Sequence, residues 1–137
     1  MSLPVSLRWT GHQLELLDQR RLPHAVEYLR IIDWREVVDA IATMAVRGAP
    51  AIGVAAAWGV VLASRAGENL DEAMAALRAS RPTAVNLAWS LDRMQECLDN
   101  ASNVDPAELT AVAAAIESDD RKLTKRLVDH GVTLLRR

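Results

Sequence analysis

Residues 47–53 read Arg-Gly-Ala-Pro-Ala-Ile-Gly, and an almost uncharged run of Ala, Gly and Val continues to Ala63. The fold turns on this stretch. It is too short, and too rich in Ala and Gly, to span a bilayer. It reads instead as a helix buried on nearly all sides. Pro50 suits the first helical position, where a missing N–H costs nothing. Gly48 and Ala49 carry no bulky side chain, so the backbone there can approach another surface closely. The first N–H groups of such a helix have no partner within it, and the helix dipole favours negative charge at that end. Arg47 adds a planar, permanently charged fork suited to phosphate or carboxylate. These features describe an anion pocket at a helix N-terminus. They equally describe a connector that lets two helices pack closely, and the spacing alone leaves both readings open. There is no Walker pattern and no G-x-G-x-x-G.

The 137 residues suit one domain and bury roughly two-thirds of the surface that the unfolded chain exposes. Half the residues are apolar, and 16 basic residues nearly balance 18 acidic ones. That balance gives no reason to expect nucleic acid or an anionic membrane as a partner. The single cysteine, Cys97, rules out an intrachain disulfide and fits a reducing compartment. With no basic flank or long apolar run at the start of the chain, the cytoplasm is the expected location.

Working outward, residues 7–10 and 14–18 read as short strands around a Gly11-His12 turn, and residues 26–32 as a third strand. Residues 19–23 look like a polar, basic connector. From residue 33 the pattern becomes helical. Asp33 and Glu36 form a capping box, and Val37, Val38, Ile41, Met44 and Ala45 follow at helical spacing. Asn69 caps a third helix, with Glu72 at its third position. Arg81-Pro82 stops it, and Thr83 caps a fourth. Asp105-Pro-Ala-Glu108 opens a long fifth helix whose face runs through Leu109, Val112, Ile116, Leu123 and Leu127, with Gly131 ending or kinking it. The expected fold is α+β and mostly α: a small N-terminal antiparallel sheet over residues 1–32, then a bundle of about five helices over residues 33–137. An apolar pair at residues 134–135 reads as the approach to a further strand.

Arg81 is a second candidate anion ligand, since it stands in a tight junction beside the free N–H groups of the next helix. The alternative is a solvated arginine at a turn. His12, His24 and His130 have no Cys partner at ligand spacing, so no metal site is expected. Cys97 reads as a small buried hydrophobe. Of Asp119 and Asp120, one is expected to face inward and the other water.

The segment Val46-Arg-Gly-Ala-Pro-Ala-Ile-Gly-Val-Ala-Ala-Ala-Trp-Gly59 resembles the signature of the 5-methylthioribose-1-phosphate isomerase family. So do Ser80-Arg-Pro-Thr-Ala-Val-Asn-Leu87, the Trp89, Leu91, Asp92, Arg93 and Met94 that follow, and Asp18-Gln-Arg-Arg-Leu-Pro23. The resemblance covers essentially the whole chain. It extends to regulatory subunits of a translation-initiation exchange factor and to ribose-1,5-bisphosphate isomerase. It implies an aldose–ketose isomerisation in methionine salvage, without a cofactor, on a sugar phosphate held by Arg47, Gly48, Ala49 and Arg81. It also implies a Rossmann-like C-terminal domain that carries the catalytic cysteine and aspartate, and a homodimer in the complete protein. None of Cys97, Asp119 and Asp120 matches those catalytic positions, so no catalytic residue is assigned here. The catalytic domain would act in cis or as a separate chain. Trp58 stands where the family usually has tyrosine.

Overall fold

A computed structural model describes residues 4–136; residues 1–3 and 137 lie outside that description. The elements run β1 (Leu7–Trp9), β2 (Leu14–Leu17), a 3-10 turn (Gln19–Arg21), β3 (Tyr28–Ile31), α1 (Trp34–Ala42), α2 (Ala49–Arg65), α3 (Leu70–Ser80), α4 (Val85–Asp99) and α5 (Pro106–Leu135). This is the α+β, mostly α layout expected from the sequence.

The sheet is an antiparallel meander in the order β1-β2-β3. Its register sets Leu7 opposite Leu16, Leu14 opposite Ile31 and Leu16 opposite Leu29. Alternation sorts the faces. Leu14 and Leu16 are fully buried, while Glu15 between them turns outward and pairs across the strands with Arg8. The sheet is fastened to the helices by an aromatic stack. The rings of Trp9 and Trp58 lie 4.5 Å apart and 5° from parallel. Such a pair contributes about 1 kcal/mol beyond the area it buries.

Helix α2 is the axis of the fold. Every residue from 52 to 63 is buried, and α1, α3, α4 and α5 all pack on it. Its small residues permit this. A Cβ built on Gly53 would stand 2.6 Å from Ser90 Oγ and 2.8 Å from the Asn86 carbonyl oxygen, so only glycine lets the first turns of α2 and α4 touch. Buried Trp58 leaves its indole N–H without an acceptor among the described residues. Among those residues, no helix is long and apolar enough to cross a membrane.

Several local expectations need correcting. Helix α1 ends at Ala42, and Met44 is exposed in the left-handed region at φ 64° instead of continuing the apolar face. The reason is a Schellman closure. The amides of Met44 and Ala45 donate to the carbonyls of Ile41 and Ala40, which turns the chain out of the helix. Helix α4 starts at Val85 with Ala84 as its cap residue, so Thr83 does not cap it. Helix α5 continues through Gly131 to Leu135, which places Leu134 and Leu135 in the last helical turn and not at the approach to a strand. Of the stripe expected on α5, Leu109 and Ile116 are buried and Val112 is half-buried, with Ala113 buried beside them, but Leu123 and Leu127 are 55% and 65% exposed.

Candidate anion site at two helix mouths

Among the described residues, five α-helices leave five sets of unpaired N-terminal amides. Three sets are closed by side chains. Asp33 accepts from the Arg35 amide, Asn69 from the Glu72 amide and Asp105 from the Ala107 amide. The other two helices, α2 and α4, have no side-chain cap. These are the helices that follow Arg47 and Arg81.

Helix α2 opens from Gly48, whose φ of 88° is a backbone state that residues with a Cβ rarely adopt. Its carbonyl accepts the first helical bond, from the Ile52 amide at 3.1 Å. Ala49 and Pro50 form the first turn, and residues 47–50 are exposed. The Arg47-Gly48-Ala49 triplet therefore presents main-chain donors to solvent beside a guanidinium. At the second mouth, Arg81 is the half-buried C-terminal cap residue of α3, and its carbonyl accepts from the Ala84 amide at 3.1 Å. Among the described residues neither Arg47 nor Arg81 takes part in an ion pair, whereas Arg8, Arg20, Arg21, Arg35, Arg78, Arg93 and Arg121 all do.

The contact at Gly53 sets the opening turns of α2 and α4 side by side. A groove of about 210 Å³ lies against both of them and α5, lined by Pro50, Val54, Asn86, Trp89 and Asp120 among others. Asn86 and Trp89 were not singled out by motif reasoning as groove residues. Their signal is position, since both fall within the first five residues of an uncapped helix. Trp89 is 54% exposed and carries the Arg93 guanidinium over its ring at 4.9 Å. Burial pushes the Asp120 carboxyl above its ordinary range, against the nearby charge of Arg121. Asp119 turns outward to Arg93 at 3.3 Å. Burial, then the charge of Glu108, raises the Cys97 thiol, which makes it a poor nucleophile. Among the described residues no cluster of three His, Cys, Asp or Glu side chains could hold a metal ion.

The fold and these openings define a helix-rich α+β domain with two unguarded helix N-termini at adjoining positions. The Initiation factor 2 subunit family matches residues 45–136, and the chain belongs to that family. It is 65% identical over 135 residues to a methylthioribose-1-phosphate isomerase of Parasynechococcus marenigrum (strain WH8102), covering 98% of this chain and 40% of that protein. It is 48% identical over 136 residues to a methylthioribose-1-phosphate isomerase of Stenotrophomonas maltophilia (strain R551-3), covering 93% of this chain and 38% of that one. The crystal structure of 5-methylthioribose 1-phosphate isomerase from Pyrococcus horikoshii OT3 superimposes with a TM-score of 0.71 at 29% identity, over 90% of this chain and 36% of that one. Translation initiation factor eIF-2B, subunit delta, from A. fulgidus superimposes with a TM-score of 0.66 at 32% identity, over 85% and 36%. The chain thus spans about 40% of the length of the curated relatives it matches.

Proposed function

We propose that this chain is the substrate-binding N-terminal part of a methylthioribose-1-phosphate isomerase, and that Arg47, Gly48, Ala49 and Arg81 hold the sugar phosphate. The observation that carries this reading is the selective lack of caps. Only α2 and α4 begin without a side-chain acceptor, and each is preceded by an arginine with no ion-pair partner among the described residues. A phosphate supplies both missing acceptors and the missing anion. The 65% identity to an isomerase of that name supports the choice of sugar.

The acid–base or hydride-transfer groups belong to a further domain, in cis or as a separate chain, and the complete assembly is a homodimer. Beyond residue 120, α5 is almost wholly exposed. Its apolar residues Leu123, Leu127 and Leu134 continue the spacing of the buried Leu109, Ala113 and Ile116. That unpartnered stripe is where the second domain rests. The test is calorimetric titration of the purified chain with methylthioribose 1-phosphate and with unphosphorylated methylthioribose, together with an isomerase assay. Saturable binding of the phosphorylated sugar alone, without turnover, is the expected result. Enzyme-like turnover abolished by Cys97→Ala would place the chemistry in this chain and overturn the division of labour.

A second reading draws on the likeness to the eIF-2B delta subunit: a non-catalytic interaction module whose helices serve packing and regulation. Under that reading, Arg47→Ala and Arg81→Ala leave sugar-phosphate binding unchanged.

A further inference from the structure

The loop that carries Arg47 is held from outside. Residues 43–48 join α1 to α2, and the chain there passes through left-handed geometry at Met44 and again at Gly48. The amides of residues 43–46 are tied back to α1 by bonds to Asp39, Ile41 and Ala40, while another element holds the Thr43 hydroxyl and the carbonyls of Ala45 and Arg47. That element is the 3-10 turn after β2, which reaches the connector at alternate residues. The Arg20 Nη1 donates to Thr43 Oγ1 at 3.1 Å. The Gln19 amide donates to the Ala45 carbonyl at 2.8 Å. The Gln19 Nε2 reaches the Arg47 carbonyl at 3.5 Å, the longest of the three.

Asp18 anchors this arrangement. It is 6% exposed, and besides Ser90 it is the only buried polar or charged residue among those described. One carboxylate oxygen accepts from the Arg20 amide at 3.1 Å and from its Nε at 2.8 Å; the other accepts from Nη2 at 2.9 Å. This two-pronged bond between planar groups fixes the direction of the guanidinium. Its remaining nitrogen then points at Thr43, which in turn donates to the Asp39 carbonyl at 2.8 Å. The chain of contacts runs from the end of the sheet, through Asp18 and Arg20, to the last turn of α1 and the connector.

We infer that Asp18, acting through Arg20, is a positioning residue that sets the Arg47-Gly48-Ala49 loop for its anion. The inference rests on the phosphate-site reading above and adds a part that the anion does not touch. Loss of the clamp leaves the guanidinium of Arg47 in place chemically but lets its backbone wander. Misplacement of a ligand group by about an ångström is costly out of proportion to its size.

Two measurements on the intact gene product separate the possibilities. The first is hydrogen exchange of the free protein. Asp18→Asn, which keeps the shape of the side chain, should speed exchange of the Ala45 and Val46 amides, which donate to the Ala40 carbonyl, by about tenfold or more while the α2 interior stays protected. Equal exchange in both proteins, or faster exchange everywhere, overturns the clamp. The second is a double-mutant cycle on the affinity for methylthioribose 1-phosphate. Asp18→Asn should weaken binding about tenfold when Arg47 is present and less than about twofold in an Arg47→Ala background, because positioning acts only through the group positioned. Equal losses in both backgrounds would mark a merely structural role and reject positioning. If Arg47→Ala alone leaves affinity unchanged, the phosphate-site reading falls and positioning for phosphate falls with it. The exchange result then reports separately whether the clamp itself holds the loop.

Discussion

Helices α1, α3 and α5 begin on side chains that close their own N-termini; α2 and α4 begin on Gly48 and Ala84, which cannot. The chain plainly has the means to cap a helix, and at two adjoining places it does not use them. A side-chain cap is worth about 1 kcal/mol over alanine and a few tenths over glycine, so its absence costs stability chiefly at Ala84 and little at Gly48. The difference separates helix starts that the fold closes for itself from starts that, on the proposed reading, a phosphate closes. At three mouths the amides hold the fold together. At the other two no side chain takes them up.

The comparison breaks most visibly at the arginines. Arg47→Ala and Arg81→Ala should each cost about 2 kcal/mol of sugar-phosphate binding, the usual scale for a charged hydrogen bond, with melting temperature little changed. Calorimetry that finds either variant binding like the parent rejects its role. Next in size is a cap placed where there is none. Ala84 already has the extended backbone that a cap residue uses. Ala84→Asp should stabilise the fold by about 1 kcal/mol in urea unfolding. It should also weaken phosphate binding about tenfold, the equivalent of roughly 1.4 kcal/mol. Gain without loss would mean that the α4 mouth is idle. The converse substitution, Asn69→Ala at a capped helix, should cost about 1 kcal/mol of stability and leave affinity untouched.

The helix C-termini offer a smaller contrast. Helices α1 and α2 both end in the same two-bond closure. Gly67 and Glu68 donate to Ser64 and Ala63 just as Met44 and Ala45 donate to Ile41 and Ala40. At α2 the left-handed residue is glycine, with φ 70°; at α1 it is methionine, with φ 64°. Holding a residue with a Cβ in that state costs about 1–2 kcal/mol, partly returned by the greater freedom glycine has when unfolded. Met44→Gly should therefore raise stability by about 0.5 kcal/mol, whereas Gly67→Met should lower it by more. The strained end is the one that leads into the loop carrying Arg47.

The acid limb of stability should carry the mark of Asp18. Its hydrogen bond from Arg20, opposed by burial, holds the carboxyl below the ordinary range. A carboxyl depressed in the folded state adds stability above its unfolded value of about 4, and that stability drains as pH falls through the folded value. Comparison of parent and Asp18→Asn by urea unfolding should give a gap that is constant from neutrality to about pH 5 and shrinks below it. A gap independent of pH would show that the carboxylate charge plays no part.

What the sequence revealed follows from range. The capping box of Asp33 and Glu36, the Asn69 cap and the Asp105-Pro106 start act within one helical turn, so they could be read directly. The burial of α2 was equally plain, because a long uncharged run has nowhere else to go. Both arginines could be picked out as guanidiniums beside helix starts. The errors lie where tertiary context overrides local pattern. Met44 keeps helical spacing, yet the chain leaves α1 before it. Thr83 is a good cap residue one position too early. Residues 19–23 looked like a plain basic connector, because the bonds that give them a task reach forward 23 to 28 residues. Leu123 and Leu127 keep the period of a buried face, but nothing in the described chain covers them.

The most direct test of the whole account is a crystal structure of the protein with methylthioribose 1-phosphate bound. The account predicts phosphate oxygens within about 3 Å of the guanidiniums of both Arg47 and Arg81 and of first-turn amides of α2 or α4. A phosphate seated elsewhere, or two guanidiniums facing separate stretches of solvent with the sugar bound, would contradict it.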